Sequence, residues 1–255
     1  MNSKFKQTGF HLFKGNQINI NLIKKANESV AEIIKGKTDT GIHHWGLVNG
    51  ENTKLTRIAQ PHLCATSFQE LLSKSRIGNQ IASILGVKKV NVWGCQLYIK
   101  PPGNSSLLNV GWHRDSQHMP FFKSGVATLW IPLSKAPPES GSITYVPNSH
   151  DFNKYGIVSG ANQQNMFVDK QKHSQLFNSS WQEFSLDLEV GEFSMHHWDL
   201  IHGSYENTST VTRTALSVGI FTEDLIVDDT KPNYGYKEIL NNSFFCPSLM
   251  ANPYE

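Results

Sequence analysis

The chain has 255 residues, of which 38% are hydrophobic and 17% charged, and a formal net charge of +2. That length suits one substantial core, so a single domain over residues 1–255 is the favoured organisation. So small a charge excludes the clustered basic face of a nucleic-acid binder, and no apolar run approaches the ~20 residues that span a bilayer. Met1 to Gly15 is polar with scattered lysines and lacks the apolar stretch of a secretory signal, which makes a cytoplasmic location the expectation. Cys64, Cys95 and Cys246 are odd in number and widely separated, an arrangement that fits a reducing compartment and no disulfide framework. No CxxC pair offers a thiolate metal site.

Residues 1–89 read as a helical N-terminal part. Ile20 to Lys35 is amphipathic, with Ile23, Ala26, Val30 and Ile33 or Ile34 at spacings of three and four, and Gly36 stops it. A second helix is expected to open at Ser67 as N-cap and to carry Leu71, Leu72, Ile81, Ile84 and Leu85 to Gly86, with an interruption at Gly78-Asn79. From Val90 the texture changes to short β-rich runs: 90–100, 126–133, 142–146, 183–188, 192–197 and 212–221. Turn chemistry separates them at Pro101-Pro102-Gly103, Glu139-Ser140-Gly141 and Val190-Gly191. The expected fold is mainly β with flanking helices, a double-stranded β-helix or jelly roll of cupin type over residues 90–221. Residues 151–181 read either as a lid loop or as a surface excursion with one short helix, and 222–255 as a C-terminal tail.

The chemistry concentrates at His113-Arg114-Asp115, with His202 and Arg213 far downstream. On extended backbone residues i and i+2 share a face, so His113 and Asp115 can converge on one ion while Arg114 points away. Two imidazoles and one carboxylate hold a non-heme ferrous ion on one face and leave the opposite positions open for oxygen and a co-substrate. The third ligand must arrive from a distant strand, and His202 sits at a plausible strand end. Arg213 offers a bidentate fork for a carboxylate. Alone, an HxD tripeptide is a chance-prone pattern; the distal His202-Gly203-Ser204 and the arginine behind it sharpen it.

Those segments resemble the phytanoyl-CoA dioxygenase family of iron- and 2-oxoglutarate-dependent oxygenases. The resemblance runs through Lys100-Pro101-Pro102-Gly103, Trp112-His113-Arg114-Asp115, Thr128-Leu129-Trp130, the stretch from Gly141 to His150, and His202 to Ser209 with Arg213 behind it. It covers about Val90 to Phe221 and fades after Glu223. It implies that His113, Asp115 and His202 bind iron. It also implies that Arg213 pairs with the distal carboxylate of 2-oxoglutarate beside Ser204, that Trp130 lines the co-substrate pocket, and that Gln96 supplies another pocket contact. Asn148 stands where the family has glycine in a Pro-Gly-Ser-His turn, and Asn tolerates the left-handed backbone needed there. His196 and His197 read as packing or as neighbours of the ligands.

The implied cofactors are Fe(II), 2-oxoglutarate and O2, and the implied reaction is hydroxylation of an unactivated C–H with release of succinate and CO2. In this resemblance an intact Asp115 favours hydroxylation over halogenation. Desaturation, cyclisation or hydroxylation of an acyl-CoA are alternatives on the same site. A cupin-type isomerase gives Arg213, Ser204 and Trp130 no role, and a non-catalytic cupin-type binding protein is a further alternative. The expected partner is a small-molecule substrate, with no nucleic acid and no membrane; the sequence carries no signal for an oligomeric state. Substrate contacts are expected from His43 to Trp45, from Trp112 to Phe122 and from 151–181.

Overall fold

The computed structural model describes residues 2–48, 54–151, 166–177 and 181–250. In chain order the elements are α1 (Ser3–Thr8), β1 (Phe10–Phe13), α2 (Ile20–Ile34), β2 (Gly46–Val48), β3 (Thr56–Ala59), α3 (Pro61–Cys64), α4 (Thr66–Lys74), α5 (Gly78–Leu85) and β4 (Asn91–Lys100). There follow β5 (Val110–His113), β6 (Phe122–Pro132), β7 (Thr144–Tyr145), α6 (Met166–Phe177), β8 (Phe184–Ser185), β9 (Phe193–His197), β10 (His202–Ser204), β11 (Arg213–Val227) and α7 (Tyr236–Ile239). The strands form a seven-stranded sheet, β1-β9-β6-β11-β4-β3-β2, and a four-stranded sheet, β5-β10-β7-β8, with antiparallel pairing throughout both. This is the mainly antiparallel jelly roll expected from the turn-punctuated β runs.

Period-two alternation in the large sheet sorts its side chains into structure and chemistry. On β11 the outward residues Leu216, Val218 and Ile220 join Leu129 and Ile131 of β6 and Cys95 and Leu97 of β4 in one core. Ile23, Ala26, Val30 and Ile33 of α2, with Phe68, Leu71 and Leu72 of α4, close that core from the helical side. Each large aliphatic side chain buried there contributes roughly 1.5–3 kcal/mol relative to exposure. Apart from Trp130, which stands opposite Ser217, inward residues here are small or polar: Ser217 also faces Gln96, and Gly219 stands opposite Gly94 and Thr128. A second apolar cluster, including Phe10, Ile143, Tyr145, Leu186 and Leu200, fills one end of the space between the sheets. The other end is left open by those small residues.

α2 begins at Ile20 as expected, with the Asn19 side chain accepting from the Asn21 backbone N–H at 2.9 Å. The following helical stretch differs from expectation. It divides into α4 and α5 at Ser75-Arg76, where Arg76 has φ +57°, whereas Gly78 is the first residue of α5. Ser67 does not cap; it lies inside α4, its hydroxyl 2.7 Å from that of Ser29 on α2. Gly78 is required for packing instead, since a Cβ there would lie 2.4 Å from the Leu249 carbonyl oxygen. Residues 1–89 also carry β1, β2 and β3, which extend the large sheet at both edges. Short strands bounded by helices and polar turns gave too few alternating positions to be read.

Asn148 adopts φ +67°, as its place in the turn requires. Of the stretch 151–181, residues 166–177 form α6, and 152–165 and 178–180 lie outside the described residues. Cys64, Cys95 and Cys246 are buried free thiols. Among the described residues, no helix is long and apolar enough to cross a membrane.

Candidate metal centre

His113 ends β5 and His202 opens β10, and the two are direct cross-strand partners in the four-stranded sheet. The third ligand position is therefore remote in sequence but adjacent in the ladder. Asp115 is reached differently from the i, i+2 strand geometry. Arg114 is still extended, at φ −118° and ψ 142°, and Asp115 then starts a 3₁₀ turn that folds its carboxylate back over the imidazoles. Asp115 Oδ1 lies 3.8 Å from His113 Nε2 and 3.7 Å from His202 Nε2. One ligand atom from each of the three residues falls within 4.8 Å of the others.

Backbone carbonyls fix the imidazole tautomers. His113 Nδ1 is 2.8 Å from the Gly111 oxygen and His202 Nδ1 is 3.0 Å from the Leu200 oxygen. Each Nδ1–H thus donates to a carbonyl, and each Nε2 lone pair is left facing the centre. Burial, then the neighbouring His202, pushes His113 down to about 3. Burial, then His196, pushes His202 down to about 4. Both rings are neutral near pH 7, the state a metal requires. Burial alone raises the Asp115 carboxyl, but His202, His196 and His113 together reverse that and hold it well below the usual carboxylate range.

Asp115 is oriented by two further groups. Thr128 Oγ1 donates to its Oδ2 at 2.6 Å, and His196 Nε2 lies 3.2 Å from the same oxygen. His196 Nδ1 is 3.1 Å from the Tyr145 hydroxyl, which is 2.8 Å from Ser194 Oγ. His196 therefore touches the carboxylate, whereas His197 packs its ring against Phe5 and His150. Thr128 was legible in principle, being two residues before Trp130 and so on the same strand face.

Behind the cluster lies a recess of about 50 Å³ lined by Tyr98, Trp130, Ser204, Arg213 and the three candidate ligands, among others. Arg213 is buried, with its guanidinium carbon 5.6 Å from the Trp130 ring centre. Its Nη2 donates to the Gly141 carbonyl at 2.7 Å, while its Nε and Nη1 find no partner among the described residues. Burial pushes Arg213 down to about 10, so it remains cationic near pH 7. Two unpartnered donor nitrogens on a buried cation are costly, and an anionic ligand in the recess is the physical remedy. Ser204 Oγ accepts from the buried Lys100 Nζ at 2.7 Å, which leaves the Ser204 proton to donate into the recess. Lys100 also donates to the Tyr205 carbonyl, and burial, then Arg213, drive it well below the usual lysine range.

A larger cavity of about 300 Å³ opens on the other side of the cluster. Gln96 lines this cavity rather than the recess, and accepts from the Tyr98 hydroxyl at 2.7 Å; Tyr98 lines both spaces. A β-bulge between Gly219 and Ile220 leaves Trp93 as an extra residue on β4. Its indole turns onto Gly219. Of the stretch Trp112 to Phe122, His113, Asp115, His118 and Met119 line the cavity, and Trp112 instead packs between Trp181 and Tyr205. His43 and His44 do not line it; Trp45 reaches it indirectly, its ring packed at a tilt against Tyr236 at 5.5 Å. Tyr236, from the tail where the family resemblance had faded, is itself a lining residue.

A family model described as Phytanoyl-CoA dioxygenase (PhyH) matches residues 5–215. The "Probable alpha-ketoglutarate-dependent hypophosphite dioxygenase" of Stutzerimonas stutzeri is 27% identical over 215 residues, 79% of this chain and 71% of that protein. The "Phytanoyl-CoA dioxygenase" of Arabidopsis thaliana is 26% identical over 147 residues, 57% of this chain and only 50% of the plant protein. Among solved structures, the non-heme alpha ketoglutarate dependent carbocyclase SnoK from nogalamycin biosynthesis aligns with a TM-score of 0.67 at 19% identity, covering 88% of this chain and 83% of that one.

Proposed function

The chain belongs to the phytanoyl-CoA dioxygenase family, and from that premise we propose that His113, Asp115 and His202 hold its ferrous iron and Arg213 its 2-oxoglutarate. Members and relatives are iron- and 2-oxoglutarate-dependent dioxygenases, and this protein is an enzyme of that kind. We further assign it hydroxylation of an unactivated C–H in a small-molecule metabolite. The observation that carries the site assignment is the buried, half-unpartnered guanidinium of Arg213 sharing one recess with two neutral imidazoles and the ionised Asp115 carboxylate.

Iron with 2-oxoglutarate and O2 supplies an oxidant able to take hydrogen from an unactivated carbon, with succinate and CO2 as by-products. The protein's part is to bind, orient and exclude water. His113 and His202 present Nε2 lone pairs because their Nδ1–H groups are committed to Gly111 and Leu200. Thr128 and His196 hold Asp115 Oδ2 and leave Oδ1 facing the imidazoles. Arg213 presents its free N–H pair to the distal carboxylate, and the Ser204 hydroxyl, propped by Lys100, donates beside it. Trp130 packs under the guanidinium and keeps that end of the recess dry. The substrate enters from the larger cavity, which shares His113 and Asp115 with the recess. The intact carboxylate at Asp115 fits hydroxylation rather than halogenation.

The test is optical and chemical. Anaerobic Fe(II) with 2-oxoglutarate should give a weak visible charge-transfer band, and O2 should then yield succinate. Absence of both from the wild-type protein overturns the assignment.

A further inference from the structure

We propose that Lys100 takes up a proton when 2-oxoglutarate binds, and that this uptake turns the Ser204 hydroxyl onto the co-substrate. The inference rests on the reading of Arg213 as the anchor of that co-substrate, and makes Lys100 a positioning residue behind it. Lys100 and Arg213 are direct cross-strand partners on the β4–β11 ladder, so their side chains leave the sheet on one face. Both are buried, Lys100 completely. Like charges opposed on one rung repel, and burial strengthens the repulsion by excluding water. Among the described residues, every hydrogen bond from the two nitrogen heads goes to a neutral oxygen: Ser204 and Tyr205 for Lys100, the Gly141 carbonyl for Arg213. A guanidinium keeps its proton where a buried lysine does not, so Lys100 is the member of the pair that gives way.

The oxygens around Nζ link its charge to the direction of Ser204. Ser204 Oγ lies at 2.7 Å, the Ser204 carbonyl at 3.4 Å, and the Tyr205 carbonyl also accepts. An ammonium donates to all three, whereas a neutral amine has two N–H groups and a lone pair. Of the three oxygens only the Ser204 hydroxyl can donate, so it completes the neutral amine by turning its proton onto Nζ. The ammonium instead makes Ser204 an acceptor and frees that proton for the recess, which Ser204 shares with Arg213. Other titratable groups nearby leave the choice to the pair. Tyr98, two residues along β4, is pushed up to about 12 by burial and stays a neutral phenol. The Tyr205 phenol donates to Glu183 and is raised well above its usual range by burial, then by that carboxylate. Glu206 favours the ammonium but is outweighed by burial and by Arg213. A carboxylate paired with Arg213 supplies negative charge beside Lys100 and reverses that balance. One proton then passes from solvent to the Nζ lone pair, and no other bond is made or broken.

Calorimetric titration of 2-oxoglutarate into anaerobic, Fe(II)-loaded protein, at one pH in HEPES and in Tris, counts the protons exchanged from the difference in buffer ionisation heat. Wild type at pH 8 should take up about half to one proton per co-substrate bound. A complex that holds more protons than its free partners weakens as pH rises, so Kd should climb by up to about tenfold per pH unit between pH 7 and pH 8.5. Lys100→Met cannot titrate and should bind 2-oxoglutarate with no proton uptake and a Kd flat across that range. Lys100→Gln is a second non-titrating replacement, and the wild-type proton count stands without either variant. Buffer-independent heats in wild type, or proton uptake retained in either variant, overturns this inference and leaves the iron and 2-oxoglutarate reading standing, because the co-substrate still binds. Absence of both binding at millimolar 2-oxoglutarate and the visible band overturns that reading and this inference with it.

Discussion

His113 and His202 face each other across one rung of the β5–β10 ladder, their ring centres 4.1 Å apart. Sheet pairing thus sets two of the three proposed iron ligands against each other. Replacing His113 or Asp115 with alanine should abolish iron-dependent succinate formation and the visible band while leaving far-UV circular dichroism near native. Retention of the band in either variant would remove that residue from the ligand set.

Arg213 carries a separate consequence, because it is placed behind the cluster and not in it. In the proposed role, Arg213→Ala removes a buried charged partner of the co-substrate, a loss on the order of 2–5 kcal/mol, or roughly 30- to 4,000-fold in binding. The apparent KM for 2-oxoglutarate should rise by that order with Fe(II) affinity little changed. An unaltered KM would show that the carboxylate is anchored elsewhere.

Thr128 tests the support of the carboxylate. Thr128→Val keeps the shape of the side chain and deletes the 2.6 Å hydrogen bond to Asp115 Oδ2. Groups that orient metal ligands typically change affinity by about 10- to 100-fold, and a loss in that range is expected when Fe(II) is titrated anaerobically. Fe(II) affinity equal to wild type would confine Thr128 to packing.

The residues of the site differ in how far the sequence betrayed them. His113, Asp115, His202 and Arg213 were legible because their chemistry is scarce and their order along the chain restrictive. Trp130 was legible by position, and Thr128 by alternation with it. Lys100 was seen only as the edge of a Pro-Pro-Gly turn, since nothing local shows that Ser204 will return beneath its Nζ from 104 residues away. Tyr236 and the strands β1, β2 and β3 escaped for the same reason. Their roles are set by long-range register, which short segments with few alternating positions do not encode. The Trp93 bulge is likewise a property of two paired strands, not of either one.

Gly219 gives that register a measurable edge. A Cβ there would lie 2.1 Å from Trp93 Cε2, in the ring body and not at a flexible tip. Gly219→Ala must push the indole into the cavity, at an overpacking cost of about 1–3 kcal/mol. Tryptophan emission should shift and binding of cavity ligands should be lost, with 2-oxoglutarate affinity kept because the recess lies on the other side of the cluster. Unchanged emission and ligand binding would place the indole elsewhere.

His62 predicts how the fold itself responds to acid. It is fully buried on α3, its Nε2 is 3.0 Å from the Phe245 carbonyl, and its Nδ1 has no partner among the described residues. The neutral ring donates to that carbonyl and ties the C-terminal segment to the helix. Burial pushes His62 down to about 4, whereas an unfolded histidine titrates near 6.5. Between those values the unfolded chain binds a proton that the folded chain refuses, so stability falls as pH falls through the window. The gap corresponds to something on the order of 3 kcal/mol once pH is below about 4. His62→Gln retains a donor for Phe245 and cannot titrate. Urea midpoints of the metal-free protein measured from pH 7.5 to pH 4.5 should therefore fall less steeply for His62→Gln than for wild type. Parallel slopes would show that His62 is solvated and titrates alike in both states.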